Sequence, residues 1–201
     1  MKYPQTLENL ISCYKKLPGV GEKTAERMAF STLKMDEETV QLFSESLKDV
    51  KTKIKKCIIC NNITEDEKCS ICKDNTRVQT TICILEDAKK VQMIEKLKVY
   101  NGLYHIVEEP VTPFISSDAI DKNINPLIKR IIENKVEEII FALKLTIEGE
   151  TTAAYISKLL EKQEVKITKI AQGIPHGADI DYIDSLTLEK AIEDRKVIWG
   201  R

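Results

Sequence analysis

Ile139-Ile-Phe-Ala-Leu143 runs directly toward Thr146-Ile-Glu-Gly-Glu-Thr-Thr-Ala-Ala-Tyr155, and the reading of this stretch decides the fold. Five consecutive apolar residues suit a strand covered on both faces, as in a parallel sheet. A helix is expected over 150–163. Two carboxylates one residue apart, Glu148 and Glu150, mark the junction. Acidic pairs so placed hold Mg²⁺ in enzymes that cut or build nucleic acid. The question is whether this pair is a catalytic metal site or a scaffold that kept the acids without the chemistry.

The same alternation extends on both sides. Strands are expected at 80–86, 103–107, 138–143 and 165–171, with helices at 88–98 and 123–134 between them. Strand, helix, strand at these spacings means a parallel α/β sheet. The α/β region is expected over 78–171. A tail, 172–201, begins as a loop with Gly173, Pro175 and Gly177 and ends in a short helix near 186–194. Glu86 ends the first strand, while Glu148 and Glu150 follow the third. Strand ends of an open parallel sheet converge on one crevice, where three carboxylates need a cation or a basic partner.

Upstream, residues 1–55 read as helical. Leu7, Leu10, Ile11 and Tyr14 recur at helical spacing. A second helix, 22–34, places Ala25, Met28, Ala29 and Leu33 on its apolar side, and a third starts at Asp36, a good N-cap. The third is expected to turn Val40, Phe43, Leu47 and Val50 inward. Between the first two lies Leu17-Pro-Gly-Val-Gly21. Gly19 and Gly21 permit a tight turn at positive φ, and the N–H groups at the start of the next helix form an anion site. Lys23 and Arg27 are four residues apart and so share one helix face. Such a hairpin grips a DNA backbone without reading sequence. A nucleotide P-loop does not fit, because GxxxxGK[ST] is absent and a helix, not a strand, precedes the turn.

Residues 56–77 are polar and carry Cys57-Ile-Ile-Cys60 and, eight residues on, Cys69-Ser-Ile-Cys72. Two C-x₂-C knuckles arrange four soft thiolates tetrahedrally around one structural Zn²⁺, with no position left open for catalysis. The metal folds a segment that cannot bury enough surface alone. Cys13 and Cys83 lie in apolar segments and are expected to be buried fillers. His105 and His176 stand apart, with no nucleophile–base arrangement around either.

The 201 residues suit one medium domain or a few small ones, and the overall charge of −1 argues against a surface that binds nucleic acid everywhere. The charge is uneven: residues 1–56 hold 11 Lys/Arg against 8 Asp/Glu, and residues 80–201 hold 17 against 20. A basic head on an acidic body suggests two kinds of partner. No run reaches the ~18 apolar residues of a membrane span, and MKYPQTLENL lacks the apolar core of a signal peptide. The expected location is the cytoplasm, in association with the nucleoid.

In order, the chain has Leu17-Pro-Gly-Val-Gly-Glu-Lys-Thr-Ala-Glu-Arg27, the four-cysteine finger, an acid-ended first strand, Gly102-Leu-Tyr-His105, Thr146–Tyr155, and Ala171-Gln-Gly-Ile-Pro175 with Asp179. This ordered set resembles the bacterial RecR family of recombination mediators across nearly the full length. The resemblance implies a multidomain α and α/β protein: a helix-hairpin-helix domain (1–55), a C4 zinc finger (56–77), a Toprim domain with a parallel sheet (78–171) and a C-terminal arm (172–201). It implies a ring-like homotetramer that encircles or clamps DNA, single-stranded or duplex, without sequence preference. It further implies a non-enzymatic adaptor that works with RecO and RecF to load recombinase on gapped DNA.

Carried over by position, Gly19, Gly21, Lys23 and Arg27 become DNA contacts, and Cys57, Cys60, Cys69 and Cys72 the zinc ligands. Glu86, Glu148 and Glu150 match the Toprim acids. Toprim topoisomerases and primases have Asp-x-Asp where this chain has Glu148-Gly-Glu150. The acids are therefore expected to form a docking surface for RecO. The alternative is a Mg²⁺-dependent Toprim nuclease using the same three glutamates, and a third reading is a zinc-stabilised interaction protein that binds no DNA. Departures from the family fall at Glu108-Glu109-Pro110, Leu143-Lys144-Leu145 and His176-Gly177-Ala178, in loops expected to line the Toprim crevice.

Overall fold

A computed structural model describes residues 3–112, 120 and 122–199. Residues 113–119 and 121, inside the expected Toprim region, lie outside the described set. The chain divides into two compact units, Met1–Ile54 and Lys55–Arg201. No helix among the described residues is long and apolar enough to cross a membrane.

The first unit holds α1 (Gln5–Tyr14), α2 (Glu22–Thr32) and α3 (Glu37–Thr52). α1 and α2 close on each other through Leu7, Ile11, Ala25 and Ala29, with Leu10, Tyr14 and Val20 packed around them. Two alanines at one contact let the helix axes approach closely. The Tyr14 hydroxyl lies 2.7 Å from Thr32 Oγ1 and pins the open end of the pair. α3 starts where expected, with Asp36 Oδ1 accepting from Thr39 N–H at 2.7 Å. Its apolar stripe differs from expectation. Val40, Phe43, Leu47 and Val50 are all exposed, and α3 has no buried residue. The four core residues of α1 and α2 satisfy one another without it, so the described residues of the unit leave the stripe largely open. Met28 and Leu33 of the second helix are likewise exposed, as is Cys13, which lies off the Leu7–Ile11 face.

The second unit opens with a small antiparallel pair, β1 (Lys55–Lys56) and β2 (Ile63–Thr64), and a short helix α4 (Ser70–Lys73). A four-stranded parallel sheet follows, built from β3 (Thr81–Leu85), β4 (Leu103–Ile106), β5 (Glu138–Phe141) and β6 (Lys166–Lys169) in the order β4-β3-β5-β6. Its helices are α5 (Ala88–Leu97), α6 (Asn125–Glu133) and α7 (Ile147–Leu159). Ile82, Ile84, Tyr104, Ile106 and Ile139 are sealed from solvent. Val91 of α5, Leu127 and Ile131 of α6, and Ile156 of α7 pack in the same core. β3 and β4 are apolar and buried along nearly their whole length, as strands covered on both faces must be. Cys83, in the middle of β3, is a buried filler whose thiol desolvation pushes up to about 12.

β3 pairs with β4 on one side and β5 on the other. The chain order thus reverses at β3, and the crevice of such a sheet opens at the carboxyl ends of its strands. Beyond β6 come a 3₁₀ turn (Ile180–Tyr182) and α8 (Ser185–Glu193), capped by Asp184 accepting from Thr187 N–H at 2.9 Å. Neither element has a buried residue, and the segment reads as an arm.

Candidate metal centre, nucleic-acid interface and acidic crevice

The four cysteines converge. Their Sγ atoms all lie within 4.8 Å of one another, with Cys60 and Cys69 at 3.5 Å. Thiolates at ~2.3 Å from a tetrahedral Zn²⁺ stand about 3.8 Å apart, so the donor set and its spacing fit that ion. Each knuckle is shaped locally. Asn61 adopts a left-handed φ of 60° and donates its N–H to Cys57 O at 3.0 Å, while Cys57 N–H reaches Asn62 O at 2.7 Å. Cys69 opens α4, and Lys73 N–H bonds its carbonyl at 3.1 Å.

Crowded thiols in a buried place cannot all ionise unaided. Contacts with Cys69 and Cys72, then burial, push the Cys60 thiol far up, while contact with Cys60 brings Cys69 down. Cys72 is drawn down by Cys60 but raised on balance by Cys69 and burial. A divalent cation removes this conflict.

The finger does not stand alone. Cys57, Cys60, Cys69 and Ile71 belong to the same hydrophobic core as the parallel sheet. Ile106 N–H donates to Cys60 O at 2.9 Å, and Asn61 Nδ2 donates to Ile106 O at 3.0 Å, so the first knuckle covers the outer edge of β4. The far end is fastened by Arg77, which donates to Gly102 O at 3.0 Å and pairs with Glu95, itself accepting from Tyr104 Oη at 2.6 Å. His105 is buried in β4 with Nε2 3.4 Å from Asn123 O; burial and the Arg130 charge hold its pKa down at about 4.

In the hairpin, only Gly19 takes a positive φ, +78°. Gly21 is the N-cap of α2 at φ −83°, an ordinary extended value, contrary to the expectation that both glycines turn at positive φ. A Cβ on Gly21 would meet nothing within 4 Å, so the fold itself does not require glycine there. Glu22 at the helix start is paired with Lys15. Lys23 and Arg27 are exposed, and neither makes a salt bridge among the described residues.

The acids are not equivalent. Glu86 follows β3, and its carboxylate takes the Lys90 ammonium at 2.9 Å, the Lys144 ammonium at 3.6 Å and the Lys144 backbone N–H. Glu148 and Glu150 fall inside the first turn of α7, which begins at Ile147 rather than at 150 because Thr146 caps it, accepting from Gly149 N–H at 3.3 Å. The Glu148 carboxyl is held below its usual range by its own backbone N–H and by the Thr146 hydroxyl. It lines the crevice with Glu86, Asp87, Glu108 and Lys144. Glu150 lies outside that lining and pairs with Lys169 of β6. Among the described residues, the cysteines are the only group of three or more such side chains placed to share one ion.

Of the three divergent loops, Glu108 and Pro110, and Leu143 and Lys144, border the crevice; 176–178 does not. Gly149 sits at ordinary helical geometry, so a tight turn between the acids is not its reason. A Cβ there would collide with the Lys144 carbonyl oxygen. Lys90 and Lys144, as the cations of Glu86, and Arg130 did not stand out in the sequence. Their only signals were a lysine four residues after Glu86 and an arginine between Leu127 and Ile131, both within apolar-periodic helices.

Family models match along the chain in the same order: the RecR helix-hairpin-helix (residues 7–51), the RecR zinc finger domain of the four-cysteine type (54–74), the Toprim domain (80–171) and the RecR C-terminal region (173–196). The recombination protein RecR of Lactiplantibacillus plantarum is 45% identical over 197 residues, covering 98% of this chain and 99% of the relative. That of Staphylococcus aureus strain MRSA252 is 43% identical over 195 residues, covering 97% and 98%. The four cysteines are thus the ligands of one structural zinc.

Proposed function

The chain belongs to the RecR family, and from that premise we propose that in recombinational DNA repair it acts as a non-enzymatic DNA-binding clamp and adaptor. The observation that carries the DNA reading is the start of α2. Gly21 has open space where a side chain would stand, and the exposed Lys23 and Arg27 project from the helix just beyond it. A phosphate can approach the α2 N–H groups at Gly21 and meet both cations, with no base edge read. Binding is therefore to single strands and duplex alike, without sequence preference. Fluorescence anisotropy with labelled DNA of unrelated sequences tests this: Lys23→Ala with Arg27→Ala removes most binding, and unchanged binding at moderate salt overturns the hairpin as the grip.

The non-enzymatic reading draws support from Glu86. Two lysines already neutralise the carboxylate a Toprim metal would need, and Glu150 is engaged by Lys169. Glu148 remains an exposed carboxylate in the crevice with Glu86, and together with Glu150 of the same helix turn they form the docking surface we assign to a basic face of RecO. Charge pairing there speeds association and is salt-sensitive. Glu148→Lys with Glu150→Lys abolishes RecO binding while leaving zinc content and free-DNA binding intact. Mg²⁺-dependent cleavage of DNA by the wild type, lost in Glu86→Gln, would support the nuclease alternative instead.

The working organisation is a hairpin domain (1–55), finger (56–77), Toprim domain (78–171) and arm (172–201), acting with RecO and RecF in the cytoplasm at the nucleoid to load recombinase on gapped DNA. The exposed stripe Val40, Phe43, Leu47 and Val50 favours self-association, and the reading is a homotetramer. Four weak grips on one duplex multiply through effective concentration. Light scattering that finds a monomer with undiminished DNA affinity overturns the clamp.

A further inference from the structure

Arg130 is the one lysine or arginine in the buried class among the described residues. It sits on α6 between Leu127 and Ile131, both sealed in the core. Its Nη1 donates to Tyr104 O at 2.8 Å, and no carboxylate among the described residues pairs with it. A guanidinium in such a place is costly without an opposite charge, because burial removes its hydration.

The place is specific. Tyr104 precedes Ile106 by two residues on β4, and the backbone of Ile106 exchanges hydrogen bonds with Cys60 and Asn61 of the first zinc knuckle. Carbonyls two residues apart on a strand open to the same edge, so Arg130 and the knuckle line one edge of β4. The cysteines and the α6 residues Leu127 and Ile131 share one hydrophobic core. A divalent ion held by four thiolates keeps two net negative charges, again buried.

We propose that Arg130 is the internal counter-charge of the zinc–tetrathiolate centre, a positioning residue at the shared β4 edge whose charge offsets the net negative charge of the loaded site and so raises zinc affinity. Each buried charge offsets the other. Loss of the metal then strands a cation in the sheet's core, so the finger and the Toprim domain lose stability together.

The inference rests on the structural zinc assigned above, and the test separates the two. Zinc affinity is measured by competition with the chromophoric chelator 4-(2-pyridylazo)resorcinol for wild type, Arg130→Gln and Arg130→Lys. Glutamine keeps a donor for Tyr104 O without the charge; lysine keeps the charge. Arg130→Gln is expected to bind zinc about 10–100-fold more weakly, as for other outer partners of metal ligands, and Arg130→Lys within a few-fold of wild type. The drop in melting temperature on chelation should also be smaller in Arg130→Gln, whose metal-free form strands no charge. Zinc-loaded wild type with unchanged affinity in Arg130→Gln overturns the counter-charge alone. Equal loss in both variants, or equal destabilisation with and without metal, makes Arg130 a packing residue and overturns it as well. Should Arg130→Gln fail to fold, a tenfold loss in Arg130→Lys decides against the proposal and near-wild-type affinity decides for it. Wild type that binds no zinc would overturn the metal assignment and the counter-charge with it.

Discussion

The backbone carbonyl of Cys60 accepts a hydrogen bond from Ile106 N–H at 2.9 Å. A residue that supplies a zinc ligand thereby satisfies the free edge of the parallel sheet, and the metal centre and the Toprim core become one cooperative structure.

Metal removal should therefore be felt well beyond residues 56–77. Freshly purified protein is expected to contain one zinc per chain by elemental analysis. Cys72→Ser should lose the metal and lower the melting temperature of the α/β unit, because the first knuckle, released from the metal, no longer holds the β4 edge. Hydrogen exchange at Ile106 reads this directly: its amide should lose protection when zinc is stripped.

DNA binding should weaken steeply with salt as phosphate contacts release counterions. Lys23→Ala and Arg27→Ala should each lower the slope of log K against log salt by about 1. Gly21→Ala should leave the fold nearly intact, costing no more than about 1 kcal/mol for the poorer N-cap, and still weaken DNA binding by blocking approach to the α2 N–H groups. Equal affinity of Gly21→Ala and wild type would remove the α2 N-terminus from the interface.

Gly149→Ala should be among the most disruptive single methyl additions. The added carbon would run into the Lys144 carbonyl, and that is backbone, unable to swing aside. Overpacking of this kind costs about 1–3 kcal/mol. Denaturant midpoints check it, and a midpoint equal to wild type would show that the 144–149 turn relaxes freely.

Lys90→Met with Lys144→Met should leave Glu86 without cations in the crevice. The doubly substituted protein is expected to bind Mn²⁺, followed by loss of the free-ion paramagnetic resonance signal, more tightly than wild type. Equal binding would mean that the lysines do not occupy the place of a metal.

His105 should stay neutral well below the usual histidine range, since burial and the Arg130 charge hold it at about 4. Its folded value lies below its unfolded value of ~6.5, so the unfolded chain binds the extra proton between these limits. Stability from this group is complete above pH ~6.5 and declines as pH falls toward 4. Ring resonances that titrate near pH ~6.5 in the folded protein would contradict the packing around β4.

Where the sequence spoke clearly, short-range chemistry explains why. Cys57, Cys60, Cys69 and Cys72 announce themselves by spacing, and the apolar runs at 82–85 and 139–143 suit strands buried on both faces of a parallel sheet. Most of what escaped depends on partners distant in the chain. The stripe on α3 was expected inward because amphipathic periodicity says that a face will be covered without saying by what. Cys13 followed the same error. The helix at 147 starts earlier than expected because Thr146 caps it, although Thr146 was in plain view. Lys144 lies 58 residues from Glu86, and Arg130 lies 26 from Tyr104, so neither pairing has a local signature.

The sheet's two edges meet the surroundings differently. At β4 the zinc knuckle takes both backbone groups of Ile106 and Arg130 takes the Tyr104 carbonyl, but β6, Lys166-Ile-Thr-Lys169, is the largely exposed last strand. An unpaired strand edge is a template for further strands and hence for aggregation. Charged lysines stand at both ends of β6, paired with Glu138 and Glu150 of its own unit, and another strand laid there would have to desolvate them. The same Lys169 that answers Glu150 thus also keeps charge at the open end of the sheet.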